Sequence, residues 1–231
     1  MRPGQPVPAH LYLPDGAREG MPGILVCHSH HRPKDQGELQ DMGVSWARAG
    51  AAVLVPDMTG HGERRDNEFG GRQDYYGRYY SGMQLHLVGE SLMGWMVRDL
   101  MRGIDLLLGA EGVDAEKIVL VGAVAGGGDP VAVTAALDPR VRCSVPFNFG
   151  KAVRWRKTMP ATGKDGLNFC DNGSFEGTRN LRLSARDGFL RWVIVAACAP
   201  RPLVYAHEFA WEPESDPVWD QVDYGRMARE G

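Results

Sequence analysis

The feature that most constrains the fold is an apolar and glycine-rich stretch near the middle of the chain, KIVLVGAVAGGGDP at residues 117–130. Its first part, residues 118–121, is a run of apolar residues, which predicts a strand buried on both faces of a parallel sheet. Small residues after the glycines predict a helix over residues 129–137. Glycines on both sides of a turn let a strand and the following helix pass close together. The stretch therefore predicts a strand, a sharp turn and a helix in direct succession.

The same layout is found in the G-x-S-x-G motif, whose central serine is an exposed nucleophile on a strained turn. The run GAVAGG at residues 122–127 has glycines in the corresponding places, but Val124 stands where the serine would be. Because valine has no lone pair, it cannot attack a carbonyl carbon. The sequence therefore predicts a hydrolase scaffold without the serine nucleophile.

Length and composition indicate one globular domain, residues 1–231. The 231 residues are 43% hydrophobic, which is enough for one large core. A net charge of -3 without a basic run argues against a nucleic-acid partner. No apolar run approaches the roughly 20 residues of a membrane span, and MRPGQPVPAH lacks the apolar core of a signal peptide. A cytoplasmic protein with no membrane partner is expected, and four dispersed cysteines predict neither a disulfide framework nor a cysteine zinc site.

Strand and helix signals alternate along the chain. Strands are predicted at residues 10–14, 23–27, 51–56, 118–121, 141–147 and 202–206, and helices at residues 41–49, 84–108, 129–137 and 189–199. This alternation predicts parallel crossovers and an α/β fold of three layers, with a mostly parallel sheet between helices. Residues 66–80 show no clear period and are predicted to be an irregular surface excursion. The polar, glycine-rich residues 148–186 are predicted to form an inserted lid or cap.

Polar residues cluster where the predicted buried strands end, at the sheet edge where sites form in open α/β folds. They are His28, Ser29, His30 and His31 after the first such strand, Asp57, His61 and Glu63 after the second, and His207 after the last. Imidazoles and carboxylates meeting there could hold a divalent metal that activates water. No H-x-x-x-H pair on a helix fixes two ligands together, so no metal site is assigned. Hydrogen-bonded loop histidines are the alternative.

The chain resembles the α/β-hydrolases, and among them the acetylxylan-esterase-related and dienelactone-hydrolase-like branch. The resembling stretches are VCHSHHRPKDQGELQDMG, VLVPDMTGHGER, GESLMGWMVRDLMRGIDLLL, VGAVAGGGDPVAVTAALDPRV and APRPLVYAHEF. The resemblance implies the α/β-hydrolase fold and hydrolysis of a carboxylic ester, such as an acetylated or uronoylated carbohydrate, without a cofactor.

The resemblance also implies roles for individual residues. An oxyanion-hole amide would come from residues 28–31, the second from Ala125, and Val124 occupies the nucleophile position. The acid would follow the strand at residues 202–206, among Glu208, Glu212 and Asp216, and the usual histidine would lie after a further strand that the chain does not contain. The candidates are His28, Val124 and Ala125 for the oxyanion hole and the nucleophile turn (the nucleophile elbow), Ser29, His30, Asp57, His207 and Asp216 for catalysis, and His31, His61, Glu63 and Tyr76 for binding.

Two serines could replace the missing nucleophile, and each has a structural alternative. Ser29 lies between histidines at the expected edge, but neighbouring side chains at a strand end tend to point apart, so it could simply shape the loop. Ser91 has no predicted strand before it, which favours a place at the start of a long helix. A catalytically inactive homologue that binds a small ligand is the alternative to an esterase.

The C-terminal part of the fold is predicted to be incomplete. A sheet that stops after residues 202–206 leaves that edge unpaired, and an exposed strand edge can pair with another chain. We therefore expect either a homo-oligomer formed along this edge or a longer natural protein.

Overall fold

The apolar runs of the sequence form neighbouring strands of one sheet. The computed structural model describes residues 5–16, 19–28, 33–65, 73–147, 149, 155–156, 166–167 and 191–204. Within them the strands are β1 (Ala9–Tyr12), β2 (Met21–Cys27), β3 (Ala52–Pro56), β4 (Val113–Ala123) and β5 (Cys143–Phe147). The order is β1-β3-β2-β4-β5, with β1 antiparallel to β3 and all other neighbours parallel. The prediction of a mostly parallel sheet is confirmed.

Helices cover both faces of this sheet. They are α1 (Gly37–Arg48), α2 (Gln73–Leu87), α3 (Leu92–Leu108), α4 (Val124–Leu137) and α5 (Arg191–Ala196). Helix α1 packs on Val53 and Val55, while α3 and α4 pack on Leu25, Leu54 and Leu120, which point to the opposite face. The side chains alternate between faces because successive strand residues point in opposite directions. The result is the predicted α/β/α sandwich.

Two sequence predictions between β3 and β4 are wrong. The segment predicted to be irregular contains the first half of α2, so its tyrosine- and glycine-rich composition hid a helix. The single helix predicted over residues 84–108 is two helices, because Gly89 has φ +80° and ends the first one. Ser91 then caps α3, its Oγ accepting a hydrogen bond from the Gly94 N–H at 3.0 Å. The structural alternative for Ser91, a place at the start of a helix, is therefore confirmed.

The last predicted strand joins the sheet beside β5. Leu203 forms a parallel bridge with Ser144, whose N–H donates to Pro202 O at 3.2 Å and whose O accepts from Val204 N–H at 2.9 Å. Residues 205–206 lie outside the described residues, and the expected homo-oligomer along this edge stays a prediction. Of the predicted insert, the structure describes Phe149 and two short antiparallel strands, β6 (Trp155–Arg156) and β7 (Gly166–Leu167). In the described part of the chain, no helix is both long and apolar enough to cross a membrane.

Helix α4 begins five residues earlier than predicted because glycines let it approach the sheet backbone. A Cβ added at Gly127 would fall well inside contact distance of Cys27 O at the end of β2. A Cβ at Gly122 would meet Gly127 O, and one at Gly128 would meet Phe147 O at the end of β5. The start of α4 is thus pressed against the carboxyl ends of three strands.

We expect Gly127→Ala to lower the free energy of unfolding by about 1–3 kcal/mol, because a methyl group would have to displace backbone atoms. Urea unfolding measures the difference. Gly37→Ala is the matched control: Gly37 lies in the first turn of α1, and a Cβ added there would meet nothing within 4 Å. That change should be neutral or stabilise by up to about 1 kcal/mol. Equal stability of the two variants would contradict the close crossing.

Candidate active site

The candidate site lies where the chain leaves two neighbouring strands in opposite directions. From β2 the chain passes through α1 to β3 on one side, and from β4 it passes through α4 to β5 on the other. Such a switch point leaves a crevice at the carboxyl ends of the two strands, where ligands bind in open α/β sheets. Cys27 of β2 is level with Gly122 of β4, so the crevice is bounded by the residues that follow them.

The β4 side of the crevice is the start of α4. Ala123 is extended, with φ −110° and ψ 132°, and Val124 is already the first helical residue. The first four N–H groups of a helix have no intrahelical acceptor, and Ala123 supplies no side-chain cap. Amides with a partial positive charge at this position suit a developing oxyanion. Val124 and Ala125 thus lie where a nucleophile elbow would place them, with no nucleophilic group at position 124.

The β2 side of the crevice begins with His28, whose side chain is buried. Its Nε2 accepts a hydrogen bond from the Met58 N–H at 3.0 Å, so the proton of the neutral ring is on Nδ1. The ring also lies edge-on to His61, with centroids 5.0 Å apart and planes at 73°. His61 is buried too, and its Nδ1 lies 3.3 Å from Thr59 O, a contact in which Nδ1–H donates. Two histidines, one directly after β2 and one in the turn after β3, are therefore in contact.

Asp57 follows β3 directly and is fully buried in an ion pair. Its Oδ2 accepts from Lys34 Nζ at 2.7 Å, and its Oδ1 accepts from the Lys34 N–H at 2.9 Å. Lys34 Nζ also donates to the Glu63 carboxylate, and the Glu63 N–H donates to Asp57 Oδ2 at 3.1 Å. Burial alone would raise the pKa of Asp57, but these hydrogen bonds and the ammonium charge outweigh it and lower the pKa. Asp57 is therefore an ionised partner of Lys34.

Lys34 is the residue of this cluster that sequence reasoning did not select. Burial would lower its pKa, yet its hydrogen bonds to Asp57 and Glu63 raise it overall. A lysine shortly before a helix is usually a solvated residue, so its type alone gave no signal. The signal that could have identified Lys34 is its position in the polar segment after β2, since the neighbouring strand β3 is followed directly by an aspartate.

The structure brings four of the candidate residues together at one sheet edge: His28, Asp57, His61 and Glu63. Tyr76 is a residue of helix α2. Ser29, His30, His31, His207 and Asp216 lie outside the described residues. Among the residues that the structure describes, no group of three or more His, Cys, Asp or Glu side chains is arranged to hold a metal ion.

A comparison with protein families identifies the family of this chain. The family model of acetyl xylan esterase (AXE1) matches residues 2–159. The chain belongs to the acetyl xylan esterase family. No curated protein sequence matches the chain.

Solved structures with the same fold include several esterases. A candidate acetyl xylan esterase from Bacteroides fragilis NCTC 9343 has a TM-score of 0.62 at 18% identity, over 85% of this chain and 54% of that one. The chain therefore spans about half the length of that protein. The acetyl xylan esterase from Paenibacillus sp. R4 gives 0.57 at 17% identity, over 98% and 80% of the two chains. A CE15 glucuronoyl esterase from Caldicellulosiruptor kristjansonii gives 0.58 at 19%, over 96% and 62%. These similarities establish the α/β-hydrolase fold.

We expect Asp57→Asn to cost up to about 3–5 kcal/mol of stability at neutral pH, because the buried Lys34 would keep only the exposed Glu63 as a counter-charge. The folded-state pKa of Asp57 lies below its ordinary value of 3.8, so the stabilisation is complete above that value. It should be lost as the pH falls through the lower folded-state pKa and the carboxylate is protonated.

Urea unfolding of both proteins between pH 2 and pH 7 measures this. The exposed Asp15 provides the control, since Asp15→Asn should leave stability nearly unchanged. A wild-type advantage over Asp57→Asn that stays constant down to pH 2 would contradict the buried ion pair.

Proposed function

We propose that this chain hydrolyses a carboxylic ester, an acetyl ester or another ester of a carbohydrate, at the crevice between β2 and β4. The observation that carries the proposal is the start of α4, whose first amides stand at the switch point in a member of the acetyl xylan esterase family. Hydrolysis of an ester needs donors for the oxyanion, an attacking group and a base. The α4 amides, including that of Ala125, provide the first of these.

The attacking group has to come from a residue other than Val124. We assign it to Ser29, which follows β2 by two residues. His30 or His207 would take its proton and Asp216 would orient the base, as in a triad assembled from different loops. Four further residues are assigned to substrate binding: His31, His61, Glu63 and Tyr76. The assignment makes this an esterase with a displaced nucleophile, working without a cofactor.

A second function, binding without turnover, is favoured by how the described candidates are bonded. His28 uses Nε2 to hold the Met58 amide, and Asp57 uses both oxygens to hold Lys34. Neither group is then available as a base. A chain with these two groups engaged and valine at the elbow would suit an inactive homologue that binds a small ester or carbohydrate.

Turnover of 4-nitrophenyl acetate separates these functions. If Ser29 is the nucleophile, Ser29→Ala should lower kcat/KM by about 10²-fold or more, because the attacking hydroxyl is gone. Ser91→Ala is the matched serine control: loss of the α3 cap should cost about 1 kcal/mol of stability and leave turnover unchanged.

Other outcomes would contradict the assignment in distinct ways. Full activity of Ser29→Ala would exclude Ser29, and activity lost on adding a chelator would point to a metal-activated water. Absence of turnover in the wild type, with calorimetric binding of an acetylated xylo-oligosaccharide, would establish the binding function.

We expect Val124→Ser alone to raise turnover less than about 10-fold, because a hydroxyl without an aligned histidine is a poor nucleophile. A β-branched residue tolerates positive φ badly, so we also expect the elbow to have ordinary dihedrals rather than the strained turn of a nucleophile. The same ester assay measures the gain, and Val124→Ala controls for the loss of the branched side chain. A large gain specific to serine would show that a base and an oriented elbow are both intact.

A further inference from the structure

The buried ion pair fixes Lys34 relative to β3 at two points. One carboxylate, that of Asp57, binds both the main-chain N–H and the ammonium of the same residue. Two bonds to one residue restrict its orientation as well as its distance. Lys34 lies shortly before α1, so Asp57 determines where the connection from β2 arrives at that helix.

The turn after β3 is built around the Asp57 carboxylate. Gly62 has φ +52°, and a Cβ at this position would clash with both carboxylate oxygens. Only glycine therefore fits this turn. Arg64 Nη1 donates to Asp57 O at 3.1 Å and also pairs with Asp99 of α3 at 2.8 Å. Helix α3 thereby holds the turn in place from the other side.

The β2–α1 connection is also bonded to the segment after β3 at its β2 end. His28, the first residue after β2, accepts from the N–H of Met58, and Met58 directly follows Asp57. The connection is thus held near both of its ends, through His28 by Met58 and through Lys34 by Asp57. The position of His28 beside the start of α4 depends on how Asp57 and Met58 are held.

A buried ion pair is weak evidence of a contribution to stability, since apolar residues of similar volume often serve as well. What apolar residues cannot reproduce is the directed bonding of one carboxylate to two donors of Lys34 and to the Glu63 amide. The arrangement is therefore better suited to setting geometry than to adding stability.

We propose that Asp57, acting through Lys34 and Met58, is the positioning residue that sets His28 at the crevice between β2 and β4. The proposal rests on the proposed function for its effect on turnover, but its effect on His28 is independent of any reaction. Asp57 does not contact the substrate in this role.

Paired substitutions separate positioning from folding. Asp57→Asn removes the buried counter-charge of the ammonium, leaves only the exposed Glu63 beside it, and should lower the unfolding midpoint. Adding Lys34→Met removes that charge, so the double variant should regain most of the midpoint. We expect its ester kcat/KM to remain at least 10-fold below wild type, mainly through kcat, because the directed bonds are not restored and Ser29, the proposed nucleophile, directly follows His28. If the Asp57→Asn, Lys34→Met double variant fails to fold, the double variant Asp57→Asn, Lys34→Gln replaces it in the same measurements.

Nitrogen-15 NMR of the histidine rings provides a readout without substrate. In the wild type His28 should give the signals of the Nδ1–H tautomer, assigned by comparison with His28→Asn. The stable double variant should show a mixture of tautomers at His28. Asp138→Asn is the control, because Asp138 is a buried, ion-paired carboxylate at the opposite end of α4. It should lose stability and keep the His28 signals unchanged.

Unchanged His28 signals in the double variant would overturn the proposal, as would turnover that recovers together with stability. If the wild-type protein lacks ester turnover, the proposed function fails, and the His28 signals still decide the positioning role. A changed tautomer with intact stability would support positioning in either case.

Discussion

The close passage of α4 over the ends of β2, β4 and β5 is the constraint on which the rest of the site depends. Side chains at Gly122, Gly127 and Gly128 would each meet backbone atoms, so the helix reaches its position only because these residues have none. Its first amides are then held at the switch point between β2 and β4. Nothing in this packing requires a hydroxyl at position 124. The scaffold of the site is therefore independent of the residue that would perform the chemistry in a serine hydrolase.

The second constraint is electrostatic and lies one strand away. Asp57 has a lowered pKa and Lys34 a raised one, in each case because hydrogen bonds and the opposite charge outweigh burial. Both groups remain ionised across the range between their pKa values, so the pair stays intact around neutral pH. Since Met58 holds His28 and Asp57 holds Lys34, the connection after β2 takes its geometry from the end of β3. One side of the crevice is set by backbone packing and the other by charge.

Patterns within the sequence could predict the sheet, while contacts between distant residues could not be predicted. The apolar runs of β2 and β3 are continuous, so their strands were located to within two residues. The start of α4 was missed because glycine has a low helix propensity, which the packing of Gly127 and Gly128 overrides. The break before α3 was readable, since Gly89 and Ser91 are ordinary stop and cap residues. Lys34 and Asp57 are 23 positions apart, and their pairing depends on where two strands end side by side.

The glycine run explains why the scaffold of the site is better defined than its chemistry. Three consecutive glycines, residues 126–128, cost a helix roughly 3 kcal/mol relative to alanine. Two of them cannot carry a side chain without moving the ends of β2 or β5, so this cost is inseparable from the placement of the α4 amides. Amides at the start of a helix suit a carbonyl oxygen or an oxyanion whether or not an attacking group is present. Under the proposed function, chemistry at the crevice would depend on a nucleophile from the β2 side, and we propose that Asp57, rather than the start of α4, sets the position of that side.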